Sequence, residues 1–198
     1  MSPSAFVAGA LVLAGFASWA VYRRADRRAA DSGRTTHGSV RWFGPLVPLL
    51  RLAVVVPALV AVFHDTPWLA YTHTPEGWSA GVGLGLLAAG AFLFLWAMRS
   101  LGENYSPCFD KRLPAGIVTS GPYRVMRHPV YTSNLLLVLG AWLAVGSGWI
   151  LGSWIVTLVG YVLSLREEES ALLERYPAYA GYRARTGRLL PRFTIVRG

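Results

Sequence analysis

The sequence predicts an all-α, polytopic membrane protein of about five transmembrane helices. Three observations carry that expectation: a mean hydropathy of +0.40, several apolar stretches near twenty residues long, and basic residues gathered in alternate connecting segments. Hydrophobic residues fill 54% of the 198 positions, which suits one membrane domain spanning 1–198. The one cysteine, Cys108, leaves no intramolecular disulfide and no cysteine metal site to be built. His37, His64 and His73 lie in expected loops without ligand spacing.

The first span is expected from about Ser4 to Tyr22, uncharged and followed by Arg23, Arg24, Arg27 and Arg28. A secretory signal has its positive charge ahead of the apolar run, so a retained helix is expected instead. The second span, about Leu46 to Phe63, contains Pro48, Arg51 and Pro57. Neighbouring helices can re-satisfy the carbonyls that a proline frees, and Arg51 is close enough to one end to snorkel. The third span, about Ala80 to Met98, has Gly81, Gly85 and Ala89 at four-residue spacing. Small residues on one helix face predict close helix packing there.

The fourth and fifth spans, Tyr131 to Val145 and Trp149 to Leu165, are separated by Gly146-Ser147-Gly148. As one helix they are too long for a single crossing, so the glycine-bounded break predicts a tight helical hairpin. Its two far ends then return to the same side. Beyond it, the stretch from Glu167 to Arg185 is broken by Pro177 and predicts two short interfacial helices.

Charge sets the expected direction. Eighteen of the 19 Lys and Arg residues fall after span one, after span three or in the tail, and none falls in His64 to Ser79 or in the hairpin turn. The positive-inside rule then places the amino terminus outside and the carboxyl terminus in the cytoplasm, with a bacterial inner membrane as the expected location. The net charge of +9 is thereby a topology signal, not the footprint of a nucleic-acid binder. Tryptophans near span ends, including Trp19, Trp42, Trp78, Trp96 and Trp149, fit interfacial anchoring.

Two segments carry candidate chemistry. Gly121-Pro122-Tyr123-Arg124-Val125-Met126-Arg127-His128-Pro129-Val130-Tyr131 precedes the hairpin, and Arg166-Glu167-Glu168-Glu169 follows it. The hairpin brings both to one membrane face. Arg127, His128 and the hydroxyls of Tyr123 and Tyr131 offer donors for a carboxylate, whereas Glu168 can accept from a diol or pair with an ammonium. Aromatic rings offer faces to a cation. A zwitterionic nucleoside bearing a sulfonium meets all these groups. The same residues also read as a proline-led helix start with interfacial anchors, followed by a solvated helical turn.

Gly121-Pro122-Tyr123, Arg127-His128-Pro129-Val130-Tyr131, Glu168-Glu169-Ser170-Ala171-Leu172, then Tyr179, Tyr182 and Leu190-Pro191 closely resemble the isoprenylcysteine carboxyl methyltransferases and the related phospholipid methyltransferases. The likeness covers roughly Leu101 to Phe193 and includes Leu101-Gly102-Glu103-Asn104-Tyr105-Ser106. It implies a membrane methyltransferase using S-adenosylmethionine on the cytosolic side, with residues 1–98 as three amino-terminal helices and 99–198 as the methyltransferase core. Carried over by residue, Ala115, Gly116, Ile117 and Val118 contact the cofactor largely through backbone. Tyr123 flanks it, Arg127, His128, Pro129, Val130 and Tyr131 hold its polar groups, and Glu168 closes the pocket, which the short carboxyl-terminal helices cap. Members of this family often carry a substrate-contacting Arg before the Glu pair. Here Ser164 stands at that helical position, and Arg166 nearby is the expected substrate-positioning residue.

The implied partners are membrane lipids and a lipophilic small-molecule or lipid acceptor that enters from the bilayer, with no nucleic acid. O-methylation of a carboxylate is the leading expectation, because a carboxylate acceptor needs no base. N-methylation of a phospholipid amine is the nearer alternative. A reductase of similar core binding NADPH, and a non-catalytic membrane scaffold, come from other classes. The sequence has no added phosphate-binding Arg cluster within the hairpin to favour the reductase.

Overall fold

A computed structural model describes residues 20, 23–24, 27, 46–63, 71–74, 77–104 and 116–192. The expected first span thus lies, but for Ala20, outside the described residues, as do Trp19, Trp42 and Cys108. The described residues are helical with no strand; the helices are α1 (Leu46–Phe63), α2 (Gly77–Leu101), α3 (Pro129–Val145), α4 (Gly148–Arg175) and α5 (Tyr179–Arg185). By length and composition α2 and α4 are apolar enough to cross a membrane.

Pro129 opens α3, where its missing N–H would have no intrahelical partner in any case. Gly146 ends α3 at φ 77°, a left-handed conformation that glycine adopts without penalty, and α4 begins two residues later. The hairpin expected at Gly146-Ser147-Gly148 is therefore present. Its turn is tied to the segment before α2: Thr72 N and Thr72 Oγ1 both donate to Gly146 O, at 2.8 and 3.1 Å. His73 Nε2 lies 3.1 Å from Leu143 O, and Trp142 Nε1 donates to Thr72 Oγ1.

The closest helix pair is α2 with α3. Gly83, Leu87, Gly90, Phe94 and Ala97 are, with Ser79, the buried positions of α2. A Cβ on Gly140 would lie 2.7 Å from Gly83 O and 2.9 Å from Leu87 N, both backbone atoms. The small-residue face expected at Gly81, Gly85 and Ala89 is exposed among the described residues, with open space around Gly81 and Gly85. Regular spacing identifies a face of small residues but not which face a neighbour meets. Gly83 and Gly90, one heptad apart, form the stripe that α3 covers.

One other expectation is corrected. α4 does not stop near Leu165 but continues to Arg175 as a single helix of 28 residues, about 42 Å long at 1.5 Å per residue. Its apolar part ends at Leu165, so the last turns, about 2.8 at 3.6 residues each, extend past it. Only α5, beyond Pro177, is a separate short helix. Residues from Arg166 to Arg175 have no helix breaker among them, and the pairings of Glu169 described below hold them in place.

Gly140→Ala should lower stability in detergent by about 1–3 kcal/mol, since backbone on α2 must move to admit the methyl. Gly85→Ala, on the open face, should stay within about 0.5 kcal/mol of the parent. Thermal denaturation of the two variants side by side checks the assignment of the packing face.

Candidate functional site

The extension of α4 places two adjacent carboxylates about 100° apart around the helix, and their surroundings differ sharply. Glu169 is 2% exposed and Glu168 is 40% exposed. Around Glu169, Arg127 Nε donates to Oε1 at 2.8 Å, Arg188 Nη2 to Oε2 at 2.7 Å and Arg188 Nε to Oε1 at 3.2 Å. His128 Nε2 lies 3.3 Å from Oε1, and Arg183 Nε lies 3.8 Å from Oε2. Burial by itself would raise the Glu169 carboxyl, but the hydrogen bonds from His128, Arg188 and Arg127 outweigh it and hold the group well below the usual carboxylate range. The same pairing raises the Arg188 guanidinium.

This ion centre is stitched to the backbone. Arg127 Nη1 donates to the carbonyls of Arg183 and Thr186, so three of the five guanidinium N–H donors serve the chain's own groups. Backbone bonds then zip the tail onto the segment before α3: Arg127 N to Gly187 O at 2.8 Å, His128 N to Arg188 O at 3.1 Å, and Gly187 N to Val125 O at 3.0 Å. Thr132 Oγ1 donates to Leu189 O, and Tyr182 OH donates to Tyr123 O.

Beneath this strap lies a cleft of about 740 Å³ of atom-free space, counting its open mouth. Of the residues expected from sequence, Gly116, Ile117, Val118 and Tyr123 line it from the segment before α3. Arg127, His128, Val130 and Tyr131 line it at the start of α3, and Glu168 lines it from α4. Pro129 is buried as the first residue of α3 and does not line the cleft, and Ala115 lies outside the described residues. Leu101, Asn104, Leu172, Tyr179 and Tyr182 complete the wall.

Glu168 accepts one hydrogen bond, from Tyr131 OH at 2.8 Å, while its Oε1 is 4.0 Å from His128 Nδ1. The His128 and Tyr131 rings stack at 5.4 Å between centroids, and Tyr131 meets Tyr161 at 4.3 Å. These contacts pin Tyr131, which in turn orients Glu168. In the same wall, Leu172, Tyr179 and Tyr182 form an apolar cluster with Ile117 packed against it. Burial pushes Tyr182 up to about 12 and Tyr179 further still, so both are neutral phenols at ordinary pH. Tyr182 OH is bonded, whereas Tyr179 OH is buried without a hydrogen-bond partner among the described residues. A buried polar group left so costs about 1–3 kcal/mol.

Arg166, the expected substrate-positioning residue, is exposed and does not line the cleft. Two positions before Glu168 on a helix, a side chain points about 200° away. Ser164 is buried and donates to Gly160 O at 2.7 Å. Sequence reasoning also missed the division between the two carboxylates. The Glu-Glu pair was visible in the chain, but no local signal tells which member faces inward, and nothing marked Arg188 as its partner.

The apolar helices thus carry at one end a cleft with polar side chains in its wall, roofed by the chain's own tail. The model of the phospholipid methyltransferase family matches residues 78–179, and the chain belongs to that family of membrane methyltransferases. The matched stretch runs from the start of α2 to the start of α5 and so includes most of the cleft wall. The chain is also 37% identical over 89 residues to the cobalt-zinc-cadmium resistance protein CzcN of Cupriavidus metallidurans. That alignment covers 41% of this chain and 38% of the relative, so the chain matches well under half of the relative's length.

Glu169→Gln should lower stability by about 3–5 kcal/mol, because it strands several buried donors. A carboxyl depressed in the folded state stabilises fully above its ordinary value of 4.5 and loses that contribution as pH falls below it. The parent should therefore lose stability from about pH 4.5 downward, and the Gln variant should show a flatter acid limb in pH-dependent thermal melts.

Proposed function

We propose that this chain is an integral membrane methyltransferase that uses S-adenosylmethionine and acts on a lipophilic acceptor. The observation that carries the reading is the convergence of Gly116 to Val118, His128, Tyr131 and Glu168 on one cleft, in a chain of this family. The wall suits such a cofactor. Glu168, partly exposed and bonded once by Tyr131, can accept from a ribose diol or hold an ammonium. Val118, Val130 and Leu172 supply apolar surface that keeps water from the reacting atoms. When bound, S-adenosylmethionine supplies a methyl group activated by its sulfonium. The residues of the cleft then need only hold the acceptor in line and close to that methyl.

The acceptor in this reading is a lipophilic carboxylate, methylated on oxygen, which needs no base. A second reading, N-methylation of a phospholipid amine, draws on the family and on Glu168, whose carboxylate can hold a cationic headgroup. The exposed position of Arg166 leaves the carboxylate reading without the cation first expected to hold the acceptor. Transfer of labelled methyl into a lipid extract separates the two: an ester releases its label as methanol in mild alkali, and an N-methyl group does not.

The chain is proposed to be one membrane domain with about five crossings, its amino terminus outside and the cleft on the cytoplasmic side. Cysteines introduced at Thr72 or Thr74 should label from outside intact cells, and one introduced at Arg183 should not. Reversed sidedness would overturn the orientation.

Glu168→Gln should weaken binding of S-adenosylhomocysteine by about 1–3 kcal/mol, the range for hydrogen bonds to a charged group. Glu167→Gln, on an exposed position of the same helix, should leave it unchanged. Calorimetric titration of detergent-solubilised protein measures both. A parent that binds NADPH but not S-adenosylhomocysteine would transfer the site to the reductase class.

A further inference from the structure

Tyr179 stands apart from the other polar residues of the cleft. It lines the wall, is 2% exposed, and its hydroxyl has no hydrogen-bond partner among the described residues. Every neighbour of similar chemistry is satisfied: Tyr182 OH donates to Tyr123 O, Tyr131 OH to Glu168, and Thr186 Oγ1 to Tyr182 O. A phenylalanine would fill the same space among Leu172, Ile117 and Tyr182 without leaving a buried donor unpaired. The hydroxyl therefore works against the stability of the chain by itself, and a group of that kind in a cleft wall points to a partner supplied from outside the chain.

We propose that Tyr179 is a ligand-binding residue whose hydroxyl donates a hydrogen bond to an acceptor atom of the bound nucleoside. The proposal rests on the methyltransferase reading given above. His128, Tyr131 and Glu168 give the wall polar groups suited to the ribose and amino-acid portions of the ligand. The Tyr179 ring packs with Leu172, Ile117 and the Tyr182 ring, while Arg127 and Glu168 of the same wall are close enough to act electrostatically on its hydroxyl. Burial keeps Tyr179 protonated, as a donor must be. The residue sits at the first position of α5, so ligand binding there also engages the tail that roofs the cleft.

The test is Tyr179→Phe in the full-length, detergent-solubilised chain, read by calorimetric titration with S-adenosylhomocysteine and by thermal denaturation without ligand. The expected result is a Kd weakened about five- to thirtyfold, with an unliganded Tm equal to or above that of the parent. A merely structural hydroxyl would lower the Tm, and that outcome overturns the proposal even if binding also falls. Equal Kd in parent and variant overturns it while leaving the methyltransferase reading standing. Failure of the parent itself to bind S-adenosylhomocysteine removes the cofactor reading, and this assignment with it.

Discussion

The pairing of Glu169 with Arg127, Arg188 and His128 is the interaction on which the rest of the cleft depends. It joins three stretches far apart in sequence: the extension of α4, the segment leading into α3, and the tail beyond α5. None of them could hold its position alone. The extension of α4 has left the apolar bundle, and the other two are short segments with few regular backbone bonds of their own. A buried carboxylate with several cations around it gains Coulombic energy that offsets its desolvation only while the partners stay in place. That requirement makes the arrangement all-or-none, and the backbone bonds between Val125–His128 and Gly187–Arg192 form within it.

A helix turn of about 100° lets the neighbouring residue do the opposite task. Glu168 remains partly exposed, is oriented by one phenol, and keeps the capacity to accept bonds from a ligand. One carboxylate is consumed by the fold and the other is left available. His128 serves both sides, with Nε2 on Glu169 and Nδ1 toward Glu168, so the burial of one group steadies the wall that presents the other. Arg127 illustrates the reverse lesson. Its guanidinium reaches the cleft, yet it is largely occupied by Glu169 and two carbonyls, which makes it a tie between segments more than a donor to a ligand.

The bundle sets the stage for this centre at a distance. The α2–α3 contact is close enough that glycine backbone meets glycine backbone at Gly83 and Gly140, and the hairpin turn at Gly146 returns α4 beside α3. Rigid helices then carry that registration along the pair to the opposite end, where Tyr131, Tyr161 and Leu165 form a buried cluster directly beside the cleft residues. Exposed apolar side chains along α2 and α4, such as Val82, Phe92, Ile155 and Val159, suit surfaces that face lipid.

Local sequence determined the helices that are apolar, the break at Gly146-Ser147-Gly148 and the proline start of α3, because each depends on the backbone preferences of a few consecutive residues. It also brought the Gly121–Tyr131 segment and the Glu pair together, since a hairpin constrains both its ends. Those features were legible without coordinates, and the resemblance to known methyltransferases pointed to Gly116, Ile117, Val118, Tyr123, Arg127, His128, Val130, Tyr131 and Glu168, which line the cleft. Three things were decided only by tertiary structure. Which stripe of small residues on α2 is covered depended on where α3 lies, so Gly83 and Gly90 pack while Gly81 and Gly85 face open space. Which of two adjacent glutamates is buried depended on Arg188, nineteen positions away. Whether Arg166 could reach the cleft depended on the rotation of α4 about its axis, which its partners set and its own residues do not. Spacing along a helix states which side chains share a face; only the neighbour that packs against it states which face matters.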